Sequence, residues 1–242
     1  MQRVRRHIPN AVTCLNLLSG CVAIVLALQG EVVIAAILVG PAAFFDFCDG
    51  MVARILKAPS EIGKQLDSLA DMVSFGVLPG VIMLKLLERS INDNNLEYTY
   101  PDSVPFLAFA GFIITVFSAL RLAKFNVDTR QTTSFIGLPT PACTLLVASL
   151  PLIVEYDQFG LASVILQPFT LLALSVVLAG LLVAELPLFA LKFKSLRWND
   201  NKIRFIFVIC AVVLALVLQV AAVPLIILLY ILLSIFSLRF SL

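Results

Sequence analysis

Eight apolar stretches, at about residues 11–29, 32–56, 64–88, 104–126, 138–156, 162–184, 203–220 and 223–240, follow one another with short polar interruptions. A helix needs about 20 mostly apolar residues to cross a bilayer. In lipid, each backbone N–H and C=O must be satisfied inside the segment, which selects the α-helix for stretches of this kind. Residues of the chain are 61% hydrophobic and 13% charged, with a mean hydropathy of +1.05. Soluble domains carry roughly a quarter charged residues, so these acids and bases are too few to coat a water-exposed surface. The expected fold class is all-α, a polytopic membrane helical bundle. The last two stretches permit either two full spans or a short re-entrant pair.

The first stretch follows basic residues, as a secretory signal does, but seven more apolar stretches come after it and no small-residue cleavage site is evident. A first transmembrane helix is the expectation. Cys14, Cys21, Cys48, Cys143 and Cys210 lie in or beside apolar stretches without CxxC or Cys/His clustering, which reads as small buried hydrophobes. His7, the single histidine, has no partner for a metal site or triad and reads as a surface residue.

All seventeen Lys and Arg residues except Lys85 and Arg89 fall in alternate polar segments. These are Arg3, Arg5 and Arg6; Arg54, Lys57 and Lys64; Arg121, Lys124 and Arg130; Lys192, Lys194, Arg197, Lys202 and Arg204; and Arg239. The opposite segments, 91–102 and 155–160, carry acids and no base. Basic loops stay in the cytoplasm, so both termini and the 54–64 loop are expected there, with the bacterial inner membrane as the compartment.

Four acids break the apolar pattern. Asp46 and Asp49 end the second stretch, and Asp67 and Asp71 begin the third. An ionisable group in a membrane helix costs about 2.5–3.5 kcal/mol on insertion scales, and four together repel, so a divalent cation is the expected counter-charge. At about 100° per residue, Asp46, Asp49, Gly50 and Ala53 share one helix face, as do Gly63, Asp67 and Asp71. Pro59 and Ser60 mark the intervening turn, so both acidic faces meet at one membrane edge. Oxygen-only ligands suit Mg²⁺ or Mn²⁺, and two such ions can clamp a diphosphate. Gly50, Ala53 and Gly63 serve either close helix packing or the approach of a nucleotide to the backbone. Arg54 and Lys57 serve either as cytoplasmic anchors or as phosphate contacts.

Asp46-Phe47-Cys48-Asp49-Gly50-Met51-Val52-Ala53-Arg54, followed by Gly63, Asp67 and Asp71, resembles the CDP-alcohol phosphotransferase signature D-x2-D-G-x2-A-R-x8-G-x3-D-x3-D at every defining position. The resemblance implies a six-helix membrane core over residues 1–184, usually dimeric, with 185–242 a loop and two-helix extension. It implies that Asp46, Asp49, Asp67 and Asp71 bind two Mg²⁺ or Mn²⁺ ions. By the same resemblance Asp71 is also the general base, and Gly50, Ala53 and Gly63 border the cytidine diphosphate.

Flanking segments point to the acceptor alcohol. Thr13 and Asn16, in Ile8–Gly20, match the opening of the phosphatidylserine-synthase branch, where the related glycerophosphate enzymes carry Arg at the second position. They are expected beside the nucleotide together with Arg54, or else they satisfy helix-end backbone groups, with Asn10 a plausible N-cap. Arg121-Leu122-Ala123-Lys124-Phe125-Asn126 and Gly137-Leu138-Pro139-Thr140-Pro141 resemble two further segments of that branch, with Lys124 replacing an Arg. Arg121, Lys124 and Asn126 are therefore candidate serine contacts; as bare charges, Arg121 and Lys124 equally mark a cytoplasmic loop. The expected reaction moves a phosphatidyl group from CDP-diacylglycerol to L-serine, releasing CMP. Glycerol 3-phosphate or an inositol phosphate is the alternative acceptor, and each would call for additional basic contacts. Nucleic acid is not an expected partner. A cation-coupled transporter is the rival class, but such proteins set their acids near the midplane in repeated halves, and here they cluster at one edge.

Overall fold

A computed structural model describes residues 2–56, 60–94, 104–128, 134–189 and 198–239. Lys57, Pro59, Arg130, Lys192, Lys194 and Arg197 lie outside those residues, as does most of the acidic 91–102 loop. Helices α1 (Gln2–Leu28) and α2 (Val32–Ile55) pack against each other along their lengths. Their tight reversal needs Gly30 at φ 96°, a left-handed conformation that costs glycine little. The first helix begins well before residue 11 and runs through Pro9, so Asn10 is an interior residue and not an N-cap. The basic opening is polar but compatible with a helix, and apolar periodicity alone could not reveal it. Thr13 Oγ1 donates to the Pro9 carbonyl at 3.1 Å, an ordinary i−4 bond within the helix.

The third stretch is one continuous helical rod over Glu61–Asp93, longer at both ends than its apolar part. It consists of α3 (Glu61–Asp71), a π-helical turn (Met72–Val77) and α4 (Leu78–Asp93). Ser60 caps α3, its hydroxyl accepting from Gly63 N–H at 3.0 Å, an interaction worth about 1 kcal/mol. Pro79 has no N–H to offer the Phe75 carbonyl four residues earlier. That carbonyl accepts instead from Thr144 Oγ1 at 3.0 Å, and the Gly76 carbonyl accepts from Thr115 Oγ1 at 2.9 Å. The π turn is thus held by hydroxyls from two other helices.

The fourth stretch enters as a 3₁₀ segment (Phe106–Phe112) and continues as α5 (Ile113–Val127). After α6 (Thr140–Tyr156), the stretch expected at 162–184 breaks into short α7 (Ala162–Ile165) and α8 (Pro168–Val183). The interruption before Pro168 leaves the Leu166 carbonyl to accept from Ser90 Oγ at 2.6 Å. Two short strands were not evident in the sequence: β1 (Ser134–Ile136) pairs antiparallel with β2 (Pro187–Phe189). Gly137, at φ 78°, turns the chain out of β1 against the Leu182 carbonyl.

The final two stretches form a helical hairpin, α9 (Trp198–Leu218) and α10 (Ala222–Arg239), reversed at Gln219 with φ 50°. A kink at Asn201, φ −137°, breaks α9 near its start, and α10 has 18 residues, about 27 Å at 1.5 Å per residue. Phe207 and Tyr230 meet across the hairpin as tilted rings with centroids 5.7 Å apart. The hairpin joins the same apolar core as α1, α4 and α6 through Phe207, Ile227 and Tyr230.

Outward-facing side chains are themselves apolar: Leu216 is 78% exposed and Phe169 77%. Such a surface suits lipid and not water, and the chain is an integral membrane protein built as an all-α bundle. Of the cysteines, only Cys143 is fully buried, whereas Cys14 and Cys21 face outward, where lipid makes burial in protein unnecessary.

Candidate active site

The C-terminal part of α2 carries Asp46 and Asp49, three residues apart and hence on one face. The reversed α3 presents Asp67 to them. One carboxylate oxygen from each of these three residues lies within 4.8 Å of the others. Asp71, one turn further along α3, lies near the Asp46 carboxyl and accepts from Asn16 Nδ2 at 3.4 Å. Like-charged carboxylates this close repel unless a proton or cation stands between them. Asp49 is 6% exposed, and its Oδ2 has no hydrogen-bond partner among the described residues. A buried carboxylate oxygen without a donor is costly. Hard oxygen donors in this arrangement fit a divalent cation, which would satisfy that orphaned atom and relieve the repulsion.

Alongside the aspartates, α1, α2 and α3 enclose a cavity of about 240 Å³. Of the residues expected at the nucleotide, Thr13, Gly50, Ala53 and Gly63 line it. Asp49 lines the same cavity as Thr13. A Cβ at Gly50 would meet nothing within 4 Å, so helix packing does not demand glycine there. At Gly63 a Cβ would press on Ser60 Oγ at 2.9 Å and Asn10 Oδ1 at 3.0 Å. Close approach therefore accounts for Gly63, and an open approach to the α2 backbone remains the account for Gly50. Arg54 does not line the cavity; it is exposed, and its Nε donates back to the Gly50 carbonyl at 3.0 Å. Asn16 stands beside Asp71, buried, with its own Oδ1 lacking a partner among the described residues.

Asn10, Ser60 and Lys64 line the same cavity and were not among the expected site residues. Helical spacing offered a signal: Asn10 precedes Thr13 by three residues, and Lys64 precedes Asp67 by three, which puts each pair on one face.

The three candidate acceptor residues occupy different environments. Arg121 is 6% exposed, lies over the Phe125 ring at 5.8 Å, and feels the charge of Asp71; its Nε has no hydrogen-bond partner among the described residues. Lys124 is exposed and lines a small cavity of about 40 Å³ with Arg121 and Glu185. Asn126 is engaged with Ser68, its Nδ2 donating to the serine hydroxyl at 2.9 Å. That bond ties the end of α5 to α3, one residue from Asp67.

Residues 6–236 match the sequence pattern of the CDP-alcohol phosphatidyltransferases. The chain belongs to that family. Among its relatives is a CDP-diacylglycerol–serine O-phosphatidyltransferase of Helicobacter pylori, 30% identical over 213 residues, covering 86% of this chain and 80% of the relative. A Bacillus subtilis protein of the same name is 34% identical over 136 residues, 56% of this chain and 70% of the relative. The archaetidylserine synthase of Methanothermobacter thermautotrophicus is 30% identical over 171 residues, 70% of this chain and 68% of that protein. Membership of the CDP-alcohol phosphatidyltransferases makes this chain an enzyme of phospholipid head-group chemistry, with Asp46, Asp49, Asp67 and Asp71 as its conspicuous polar cluster.

Proposed function

We propose that the chain is a CDP-diacylglycerol–serine O-phosphatidyltransferase, transferring a phosphatidyl group to L-serine and releasing CMP. The supporting observation is the convergence of Asp46, Asp49 and Asp67 within 4.8 Å beside a cavity bounded by Thr13, Gly50 and Gly63. The names of the relatives and the buried Arg121 support serine as the acceptor.

In this reading Asp46, Asp49, Asp67 and Asp71 hold two divalent ions, Mg²⁺ or Mn²⁺. When bound, the metal supplies charge stabilisation to the phosphate oxygens. Thr13, Gly50, Ala53 and Gly63 border the nucleotide, and Asn16 orients Asp71. Asp71 accepts the proton of the serine hydroxyl as that oxygen forms its bond to the lipid-bearing phosphorus. The phosphorus–oxygen bond to CMP breaks, and CMP leaves with that oxygen. Arg121 meets the serine carboxylate in a charge-assisted pair, while Lys124 at the rim draws the acceptor in. Asn126 acts through Ser68, fixing α5 against α3.

The alternating basic segments support a cytoplasmic active site in the bacterial inner membrane, with both termini on that side. The family resemblance supports a homodimer, whose mass in nanodiscs is the check. The deciding assay is CMP release from CDP-diacylglycerol by purified protein with Mg²⁺ or Mn²⁺. Release with L-serine is expected; release with glycerol 3-phosphate or an inositol phosphate but not with serine overturns the acceptor.

A further inference from the structure

The C-terminal hairpin borders, with α6, a second, open cavity of about 460 Å³, within the roughly 300–1,000 Å³ typical of small-ligand sites. Its walls are hydrocarbon: Ala142 and Leu145 on α6, Phe207 on α9, and Val223 and Ile226 on α10. Tyr230 brings the one hydroxyl in that lining, and it is committed, donating to the Phe189 carbonyl at 2.9 Å. Nothing in the cavity asks for a hydrogen bond, so water has no partners there. The occupant must be apolar.

The cavity is linked to the aspartate site through α6 and Arg121. Pro139 and Pro141, at the start of α6, line it and flank Thr140. One turn on, Thr144 hydrogen-bonds the Phe75 carbonyl, four residues beyond Asp71. Tyr230 and Asp71 both lie within charge range of Arg121. The void therefore starts at the level of the acceptor residues and extends along α6 toward Leu145 and along α10 toward Val223, into the apolar part of the bundle. A lipid whose phosphate lies at Asp71 could lay a chain along this path.

We propose that this cavity seats one acyl chain of the lipid substrate, which gives the C-terminal hairpin a substrate-binding role. The inference rests on the lipid-transfer reading above. Burial of a chain between α6 and α10 couples hairpin packing to substrate affinity, and it fixes the lipid phosphate relative to Asp71.

The test uses the full chain in nanodiscs with CDP-diacylglycerol carrying a diazirine midway along one long acyl chain. Cross-links are expected at Ala142–Leu145 or Val223–Tyr230, displaced by unlabelled CDP-diacylglycerol. Equal, undisplaced labelling from phosphatidylcholine bearing the same chain would mean bulk lipid and overturn the proposal, as would no labelling of these segments. Ala142→Trp and Ile226→Trp provide a second arm. The ratio of kcat/KM for long-chain over short-chain CDP-diacylglycerol is expected to fall about tenfold, the loss of a few buried methylenes; an unchanged ratio overturns the proposal. Wild-type protein that turns over neither substrate with serine fails the functional reading itself. Wild-type turnover of both, with no sensitivity to cavity filling and no labelling, fails only the acyl-chain seat.

Discussion

Asn16 on α1 donates to Asp71 on α3 across 3.4 Å, and its backbone carbonyl accepts from Ser74 Oγ at 3.0 Å. One asparagine thus clamps the rod on both sides of the junction between α3 and the π turn. Asn16→Ala is expected to lower CMP release by about 10–100-fold, the usual effect of losing a residue that orients a catalytic ligand. Asp71→Asn is expected to lower it by about 10²–10⁴-fold. Both proteins should insert and purify normally; near-wild-type turnover in Asp71→Asn would remove Asp71 from the base role.

Chelation is expected to abolish turnover without unfolding the protein, because the apolar core runs through α4, α6 and the hairpin, away from the carboxylates. Helical circular dichroism in EDTA should match that of the untreated protein, and Mg²⁺ or Mn²⁺ should restore CMP release. Asp49→Asn is expected to raise the metal concentration for half-maximal activity about 10-fold or more, since it replaces a charged ligand in a three-carboxylate group.

Gly50 and Gly63 should respond differently to the same added methyl group. Gly50→Ala meets no neighbour and is expected to leave the unfolding midpoint unchanged while raising KM for CDP-diacylglycerol. Gly63→Ala crowds Ser60 and Asn10, so it is expected to lower the midpoint as well. Thermal unfolding in detergent and substrate titration separate the two effects.

Arg121→Lys retains charge but loses the planar fork. It is expected to raise KM for L-serine about tenfold or more, the order of 1.4 kcal/mol for a lost charge-assisted bond, while KM for CDP-diacylglycerol changes little. Equal increases in both would assign Arg121 to the lipid phosphate.

Thr144→Val preserves side-chain shape and removes the hydroxyl that caps the Phe75 carbonyl. A loss of about 1 kcal/mol is expected, read as a lower unfolding midpoint, with Thr144→Ser retaining most of the stability. Turnover should fall in parallel, because the π turn begins at the residue after Asp71.

Much of the candidate site was legible because it is local. Asp46 and Asp49 are three residues apart, Asp67 and Asp71 four, and helical periodicity alone gives each pair a common face. α3 lies beside α2 so that the faces meet. Asn10 and Lys64 were missed although the same periodicity applies to them. A polar residue near a membrane edge has an adequate explanation as a surface group, and nothing local distinguishes it from a cavity wall.

Sequence by itself determined the solvent, the number of apolar stretches, and the two acidic faces, since hydropathy and spacing are properties of contiguous residues. Tertiary structure decided that Asn16 meets Asp71, that Thr144 caps Phe75 from 69 positions away, and that Arg121 is buried. It also decided that the hairpin forms an apolar groove with α6. In lipid, an apolar helix face is equally at home against hydrocarbon tails or another helix, so hydrophobic patterning does not encode which faces pair. Those pairings depend on the fit of small residues and on backbone groups left unsatisfied by Pro79 and Pro168, and only the packed bundle shows where their partners stand.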